Sequence, residues 1–187
     1  MRNVIVTVGV TLGIMAGAPA ASANSPATSG SAFTARIGQY MTLRRQVEQR
    51  VPGPSASDDR AEIDRAADAL AEAIRAARPR ASQGDIFSAR IAAGFRRIIE
   101  TISRKEQPGV AQTEARRRLS RIAAPAPAVN DRFDWNLDAV MPPFLIEALP
   151  PLPPELQYRL VGCDLVIVDV TAGLVVDILP RALTTTC

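Results

Sequence analysis

The fold is decided by one stretch near the end of the chain, Tyr158-Arg-Leu-Val-Gly-Cys-Asp-Leu-Val-Ile-Val-Asp-Val-Thr-Ala-Gly-Leu-Val-Val-Asp-Ile-Leu179. Three short runs of Val, Ile and Leu are separated by two turn-like segments, Gly162-Cys163-Asp164 and Thr171-Ala172-Gly173. Branched apolar residues favour strands because they fit a pleated surface, whereas Gly and Asp favour the turns between strands. The stretch therefore predicts a three-stranded antiparallel meander over residues 158–179.

The alternation of side chains predicts how this meander is covered. In the second strand, residues 165–168 are apolar on both faces, which is typical of a central strand that is buried on both sides. Arg159 in the first strand and Asp177 in the third predict half-exposed edges. Simple alternation places Asp177 on the face opposite its apolar neighbours, near Arg159. One face is expected to meet the helices, and the other to meet residues 133–156 or a partner chain.

Residues 1–23 have the three parts of a secretory signal peptide. Arg2 is the basic start, Val4–Ala18 is the apolar core, and Ala21-Ser22-Ala23 resembles a cleavage site. We expect cleavage after Ala23, so that the mature chain begins at Asn24 and is periplasmic or secreted. The alternative is an uncleaved anchor, although the apolar core is short for a membrane span. No membrane span is expected once the leader is removed.

The rest of the chain up to residue 122 predicts helices. Residues 24–32 are small and polar, and they are predicted to be a disordered N-terminus. Residues 33–122 form a helical region, because apolar residues recur there at helical spacing between Pro- and Gly-containing breaks. Three clear helices are expected, followed by a weaker fourth. The first runs from Phe33 to before Pro52, the second is Ile63–Ala77, the third runs from Ser88 to before Gln107, and the weaker fourth is Gln112–Ile122.

A Pro-rich connector, residues 123–157, joins this helical region to the meander. Pro142-Pro143 predicts the start of a short helix over Phe144–Leu149, and Pro150–Pro154 predicts an extended polyproline lead into the first strand. Residues 180–187 are a C-terminal tail. The predicted fold class is therefore α+β, with three or four N-terminal helices, a connector and a small antiparallel meander.

The charge of the chain is nearly balanced, with 22 basic and 19 acidic residues, and one of the basic residues, Arg2, leaves with the leader. Such a balance gives no reason to expect nucleic acid as a partner. The two halves differ, because residues 33–122 carry 18 basic and 11 acidic groups while residues 123–187 carry 3 and 8. Opposite signs favour docking of the two halves or steering of a partner. The run Arg116-Arg117-Arg118 suits phosphate binding or, more simply, a solvated helix face.

Cys163 and Cys187 are the only cysteines. In an oxidising compartment they can pair, and the closed loop would contribute about 3 kcal/mol. Cys187 ends a Thr-rich tail and Cys163 lies in a predicted turn, so free thiols and intermolecular pairing remain alternatives.

The residues that most often carry catalysis or hold metals are missing. The chain has no His, which removes Ser–His and Cys–His nucleophile pairs and the usual ligand of zinc, copper or nickel. No phosphate-binding Gly-rich loop, Gly-x-Ser-x-Gly or Cys-x-x-Cys is present, and no cofactor is expected. The remaining reactive groups are Asp164, Asp169 and Asp177 in the meander. A paired-carboxylate hydrolase would use them, but turn, strand-end and edge positions account for all three.

Two segments carry a resemblance to known proteins. The Gln83-Gly84-Asp85-Ile86-Phe87 turn, and Pro150-Pro-Leu-Pro-Pro154 leading into Tyr158-Arg-x-Val-Gly-x-Asp-Leu, resemble a group of exported bacterial proteins of unknown function. That resemblance covers most of residues 60–179 and implies no activity. The C-terminal hairpin is also similar to small RcnB-like periplasmic proteins of nickel and cobalt homeostasis, which share the Tyr, Gly-x-Asp and Val-Val elements. Neither resemblance assigns a functional residue to this chain.

The sequence thus predicts an exported, non-enzymatic interaction or structural module of the cell envelope. Its partner would be an envelope protein or a second copy of the chain. One alternative is a periplasmic protein that binds a small ligand or metal through its acidic C-terminal half, and another is a hydrolase that uses Asp169 and Asp177.

Overall fold

The structure is a computed structural model that describes residues 26–51, 59–105, 127–137 and 141–183. Its helices lie in the N-terminal part and its strands at the C-terminus, so the predicted α+β class is confirmed. The elements, numbered in chain order, are α1 (Pro26–Glu48), α2 (Arg60–Ala77), α3 (Ala89–Lys105), α4 (Pro143–Ala148), β1 (Leu156–Val161), β2 (Asp164–Asp169) and β3 (Leu174–Leu179).

The three strands form an antiparallel sheet in the order β1-β2-β3. Gly162 in the first turn has φ 57° and Gly173 in the second has φ 58°, a left-handed conformation that glycine adopts without a steric penalty. The central strand is buried from Leu165 to Asp169, which confirms the prediction drawn from its two apolar faces. The prediction that the third strand is a half-exposed edge is wrong, because all six residues of β3 are buried.

Each face of the sheet has its own apolar cluster. The helix-facing side joins the main core, to which α1, α2 and α3 contribute. The opposite face carries Val161, Val166, Val168, Val175 and Ile178, and these residues pack under Phe133 with Val129 and Leu137. The predicted cover from the connector is thus present on that face, within residues 127–137.

A β-bulge in β3 changes which way Asp177 points. Ile167 pairs with Asp177 and Val168 pairs with Val175, so Val176 is an extra residue in the ladder. The bulge shifts the alternation by one residue, which turns Asp177 toward the helices. The prediction that Asp177 lies at a half-exposed edge near Arg159 is therefore wrong: its side chain is completely buried on the opposite face.

The first helix is longer than its apolar pattern indicated. α1 begins at Pro26, so the prediction of disorder is wrong for residues 26–32. Ser29 is buried where α1 crosses α3, and a Cβ added to Gly94 would lie only 2.9 Å from the Cβ of Ser29. The absent side chain at position 94 lets the two helices approach closely, and this packing outweighs the weak helical preference of the segment.

The second and third helices lie close to their predicted positions. Asp59 caps α2, and its side chain accepts a hydrogen bond of 2.8 Å from the backbone N–H of Ala61. α3 ends at Lys105, before the predicted break. An aromatic cluster joins α1 and α3 to β1, since Phe33 of α1 packs against the rings of Phe87, Phe95 and Tyr158.

Several predicted features lie outside the described residues. These are the leader with its cleavage residues Ala21, Ala23 and Asn24, the fourth helix over residues 112–122 with its three arginines, and Cys187. Within the described ranges, no helix is both long and apolar enough to cross a membrane.

The end of the described chain lies beside Cys163. The backbone N–H of Leu183 donates to the carbonyl oxygen of Cys163 over 3.2 Å, and none of the described residues is a free cysteine. The pairing of Cys163 with Cys187 stays a prediction, because Cys187 falls beyond the described part of the chain.

Candidate functional site

Asp177 joins the sheet to the turn that precedes α3. Its Oδ2 accepts hydrogen bonds of 2.7 Å from the backbone N–H groups of Ile86 and Phe87, and its Oδ1 accepts one of 2.8 Å from Gly84. The backbone N–H of Ile178 adds a fourth bond of 2.8 Å. A fully buried carboxylate with four N–H donors has its acceptor capacity occupied. The arrangement makes Asp177 a structural clamp.

Asp169 makes a second link between the helices and the sheet. Its Oδ2 accepts hydrogen bonds from the Tyr40 hydroxyl over 2.9 Å and from Arg44 Nε over 2.6 Å. Its Oδ1 accepts from the backbone N–H groups of Thr171 and Ala172, which closes the turn after β2. Burial opposes the charge of Arg44, but the hydrogen bond to Asp169 and its negative charge outweigh burial and raise the pKa of Arg44.

The three carboxylates of the meander do not form an open catalytic or metal site. Asp164 lies at the start of β2, where its Oδ1 accepts a 2.8 Å hydrogen bond from the backbone N–H of Arg181. Asp169 and Asp177 are both completely buried and bonded to separate parts of the helical layer. In the part of the chain that the structure describes, no group of three or more His, Cys, Asp or Glu residues could hold a metal ion.

Both tyrosines of the chain are buried beneath the sheet. Burial, and then the negative charge and hydrogen bond of Asp169, raise the pKa of Tyr40 well above its usual value. Burial alone raises the pKa of Tyr158, whose hydroxyl donates to the carbonyl oxygen of Pro150 over 2.9 Å. Neutral tyrosine is therefore favoured by the folded state.

The raised tyrosine pKa values of the folded protein predict that alkaline unfolding and tyrosine ionisation occur together. Unfolded tyrosine ionises near pH 10, so the stability from the raised pKa values is fully present below about pH 10 and is lost as the pH rises further. We expect the phenolate absorbance of the native protein to stay flat through this range and to rise only as the secondary structure is lost. The control is the same titration in urea, where both groups should ionise near pH 10. A tyrosine that ionises there while the protein remains folded would contradict the expectation.

Arg78 is a largely buried cation, with 10% of its side chain exposed, that the sequence did not single out. Its Nη2 donates to the carbonyl oxygen of Val176 over 3.0 Å and lies 3.7 Å from Asp85, and its guanidinium stands 5.4 Å from the centre of the Tyr40 ring. Burial lowers the pKa of Arg78, although electrostatic interactions with Tyr40, Asp85 and Asp177 oppose that effect. Its Nη1 is buried without an acceptor. This residue ties the end of α2 to β3.

The outer edge of β3 is covered by the connector. The backbone N–H groups of Asn130 and Phe133 donate to the carbonyl oxygens of Val175 and Gly173, over 2.9 and 2.8 Å. The N–H of Val175 donates in turn to Asp131 over 2.9 Å. This side of the sheet therefore has few backbone groups left to offer a partner.

The outer edge of β1 differs. The N–H of Val170 donates to the carbonyl oxygen of Glu155 over 2.9 Å, so these two residues are a hydrogen-bonded pair. Hydrogen-bonded pairs alternate in an antiparallel ladder, and residues 157 and 159 therefore also bond to β2. The backbone groups of Tyr158 and Leu160 then point away from the sheet. Among the described residues, none forms a backbone hydrogen bond with them. Leu160 is completely buried and Tyr158 is 9% exposed, however, so these backbone groups are covered and do not form an open edge.

A groove of about 520 Å³ runs along this edge. One wall is β1 from Leu156 to Arg159. The other is formed by α4 and the residues on either side of it, with Met141, Ile146 and Leu152. Ile146 has 54% of its surface exposed, a large fraction for an apolar side chain. We refer to this feature as the β1 groove.

The β1 groove also carries a positive charge. The Arg159 guanidinium donates from Nη2 to Gln157 over 2.6 Å and lies 5.4 Å from the centre of the Trp135 ring, which is 49% exposed. Its Nε is buried and has no acceptor. Within the described ranges no carboxylate forms an ion pair with Arg159.

Sequence reasoning found Asp169 and Asp177 but not the residues that bind them. Tyr40, Arg44 and Glu48 are spaced by four residues on one face of α1, and this spacing was the available signal for a buried polar stripe. The β1 groove had no comparable signal, because it depends on where α4 lies beside the sheet.

This chain matches no known protein-family model, no curated protein and no solved structure.

Proposed function

We propose that this chain is an exported, non-enzymatic module of the cell envelope that binds another protein at the β1 groove. The observation that carries the proposal is the exposed apolar side chain of Ile146 in this groove, close to Arg159, whose Nε has no acceptor. A large apolar side chain that is exposed beside a groove favours an interface. The leader-like residues 1–23 support export.

The rigid links beneath the sheet support a binding role. Asp169 and Asp177 hold the helical layer against β2 and β3, and their hydrogen bonds leave neither carboxylate open to a substrate. No hydrolytic step can be derived from these two residues. A sheet held in this way presents β1 in a fixed position, and a preorganised surface loses less entropy when it binds.

Site-specific photo-crosslinking in the native envelope tests this proposal. We expect a photo-reactive amino acid at Gln157, beside the groove, to give a discrete protein adduct. The same group at Ala69, exposed on α2, should give none. Ile146→Arg fills the groove from an exposed position and should remove the adduct. Equal adducts at positions 157 and 69, or none at either, would contradict the proposal.

One observation favours the small-ligand alternative. A second groove of about 350 Å³ lies where α1 crosses α3, lined by Phe95, Ile98 and Ile102 with Arg90 and Arg97. Apolar walls with arginines suit an anionic amphiphile. Calorimetric heat with oleate, in a protein that gives no adduct at position 157, would favour this function over the interaction module.

A further inference from the structure

We infer that the groove where α1 crosses α3 (the α1–α3 groove) binds one molecule of a free, single-chain fatty acid. The alkyl chain lies along Ile98 and Ile102, and the carboxylate lies at the Arg90 end of the groove. The inference goes beyond the proposed function, because the α1–α3 groove and the β1 groove have only Pro150 in common among the described residues that line them. It follows from the space at the helix crossing, the apolar wall of the groove and the sign of the charge beside it.

Small residues at the helix crossing leave the space that a ligand would fill. Gly30 of α1 and Gly94 of α3 both line the groove. A Cβ added to Gly94 would meet Ser29, whereas a Cβ added to Gly30 would meet no atom within 4 Å. The helices therefore approach closely at one point and leave an open volume of about 350 Å³ beside it, which is within the range of small-molecule sites.

The wall of the α1–α3 groove is apolar and accessible. Ile98 and Ile102 are only partly buried, and they line the groove together with Phe95 and Pro150. An alkyl chain laid along these two isoleucines would remove apolar surface of both molecules from water, which favours binding in proportion to the area covered. The wall therefore suits a hydrocarbon chain.

The charge beside this wall selects an anion. Arg90 and Arg97 line the groove and are exposed, and no carboxylate lies among its described lining residues. The two arginines stand on one face of α3, about two turns apart. Arg90 is in the first turn of α3, where the helix dipole also favours negative charge, while Ile98 and Ile102 lie toward the other end. A carboxylate at the Arg90 end and an alkyl chain toward Ile102 therefore match the two ends of the groove.

A neighbouring part of the chain is a poorer occupant. Residues 106–126 follow directly after α3, and their sequence carries four arginines and two glutamates. The net positive charge of this segment would be repelled by Arg90 and Arg97. Charge complementarity therefore favours an anionic ligand over this segment.

Isothermal titration calorimetry of the mature protein tests the inference, with each probe kept below the concentration at which it forms micelles. Dodecanoate is the ligand probe, and dodecyltrimethylammonium, which has the same alkyl chain and the opposite charge, is the matched control. We expect one dodecanoate per chain, bound about tenfold more tightly than the cation, because repulsion by exposed arginines replaces attraction. Decanoate should bind about fourfold more weakly than dodecanoate, which is roughly half the loss for two fully buried CH₂ groups.

Variants of the groove provide the second measurement. Gly30→Leu should fill the open volume and lower the affinity for dodecanoate by about tenfold or more. Gly38→Leu is the matched control on α1, because a Cβ there also meets no atom within 4 Å but lies outside the groove, so the affinity should not change. Arg90→Glu should lower the affinity about fivefold, whereas Arg65→Glu on the exposed face of α2 should leave it unchanged.

Methyl NMR of isoleucine-labelled protein locates the ligand. The signals of Ile98 and Ile102 should shift with dodecanoate, while those of Ile146 in the β1 groove and Ile74 in the core should not. An unchanged Ile74 signal in each variant establishes that the variant is folded.

Several outcomes would overturn the inference. Equal affinity for the two amphiphiles, equal affinity of the two glycine variants, or a shift confined to Ile146 would exclude a fatty-acid site in the α1–α3 groove. Binding that appears only after removal of residues 106–126 would identify that segment as the occupant, and binding to anionic phospholipid vesicles without binding to the free acid would identify a membrane surface. Each of these outcomes leaves the proposed function standing, because the adduct at position 157 tests that function separately.

Discussion

Asp177→Ala is expected to lower the free energy of unfolding by about 3–5 kcal/mol. The replacement leaves the buried N–H groups of Ile86 and Phe87 and the partly buried N–H of Gly84, in the turn before α3, without their acceptor. Each buried donor without a partner costs about 1–3 kcal/mol, and the cavity left by the carboxylate adds to the loss.

Urea denaturation of three variants measures this effect. Asp164→Ala is the matched control, because it removes a carboxylate that accepts one N–H at the start of β2 and should cost about 1 kcal/mol or less. Asp177→Asn keeps the size of the side chain but turns an NH₂ group toward N–H donors, so it should also cost more than the control. If Asp177→Ala unfolds at the urea concentration of the unchanged protein, the clamp does not hold the fold together.

The loss at Asp177 should also have a local signature. The turn over residues 82–87 is held to β3 through this carboxylate, so its amides should exchange faster in Asp177→Ala before the sheet itself opens. Faster exchange spread evenly over the molecule would instead indicate a general loss of stability.

Much of the fold could be predicted because its signals are local. The runs of Val, Ile and Leu and the glycines between them predict the meander, and both apolar faces of residues 165–168 predict a central strand. The apolar stripe of α2 and the Pro residues before α4 are local in the same way. Each of these elements forms from residues that are neighbours in the sequence.

The features that could not be predicted depend on distant contacts. The bulge at Val176 leaves no mark in the run Leu174-Val-Val-Asp-Ile178, because it is set by pairing with β2 and by the bonds from Asp177 to the turn before α3. The start of α1 is similar. Its first residues have a composition typical of disorder, and their helical form depends on contact with Gly94 in α3.

The difference between local signals and distant contacts also explains why the β1 groove could not be predicted from the sequence. The groove beside β1 depends on where α4 and the residues around it lie against the sheet, and no local pattern of the sequence indicates that position. Arg159 is notable because its partner is missing in the fold. The proposed function therefore rests on the surface beside β1 and not on the acidic residues within the sheet.

Asp169→Ala is expected to destabilise the protein by an amount similar to that for Asp177→Ala, for a different reason. The replacement leaves the guanidinium of Arg44, which is 2% exposed, without its buried counter-ion, and removes the acceptor of the Tyr40 hydroxyl. Loss of one member of a buried ion pair costs about 3–5 kcal/mol, because the remaining charge is left in an apolar environment. The bond of 2.7 Å from Arg44 to Glu48, which lies nearer the surface, offsets part of this cost.

A double-mutant cycle separates the charge from the other contacts of Asp169. Arg44→Met removes the buried charge and keeps an apolar side chain of similar length. Combined with Asp169→Ala, it should therefore cost less than the sum of the two single variants. Tyr40→Phe is the control for the hydroxyl alone and should cost about 1 kcal/mol. Strictly additive free energies in urea denaturation would contradict a coupled ion pair between Arg44 and Asp169. The link between α1 and the sheet would then rest on apolar packing, and Asp169 would serve only the turn at Thr171 and Ala172.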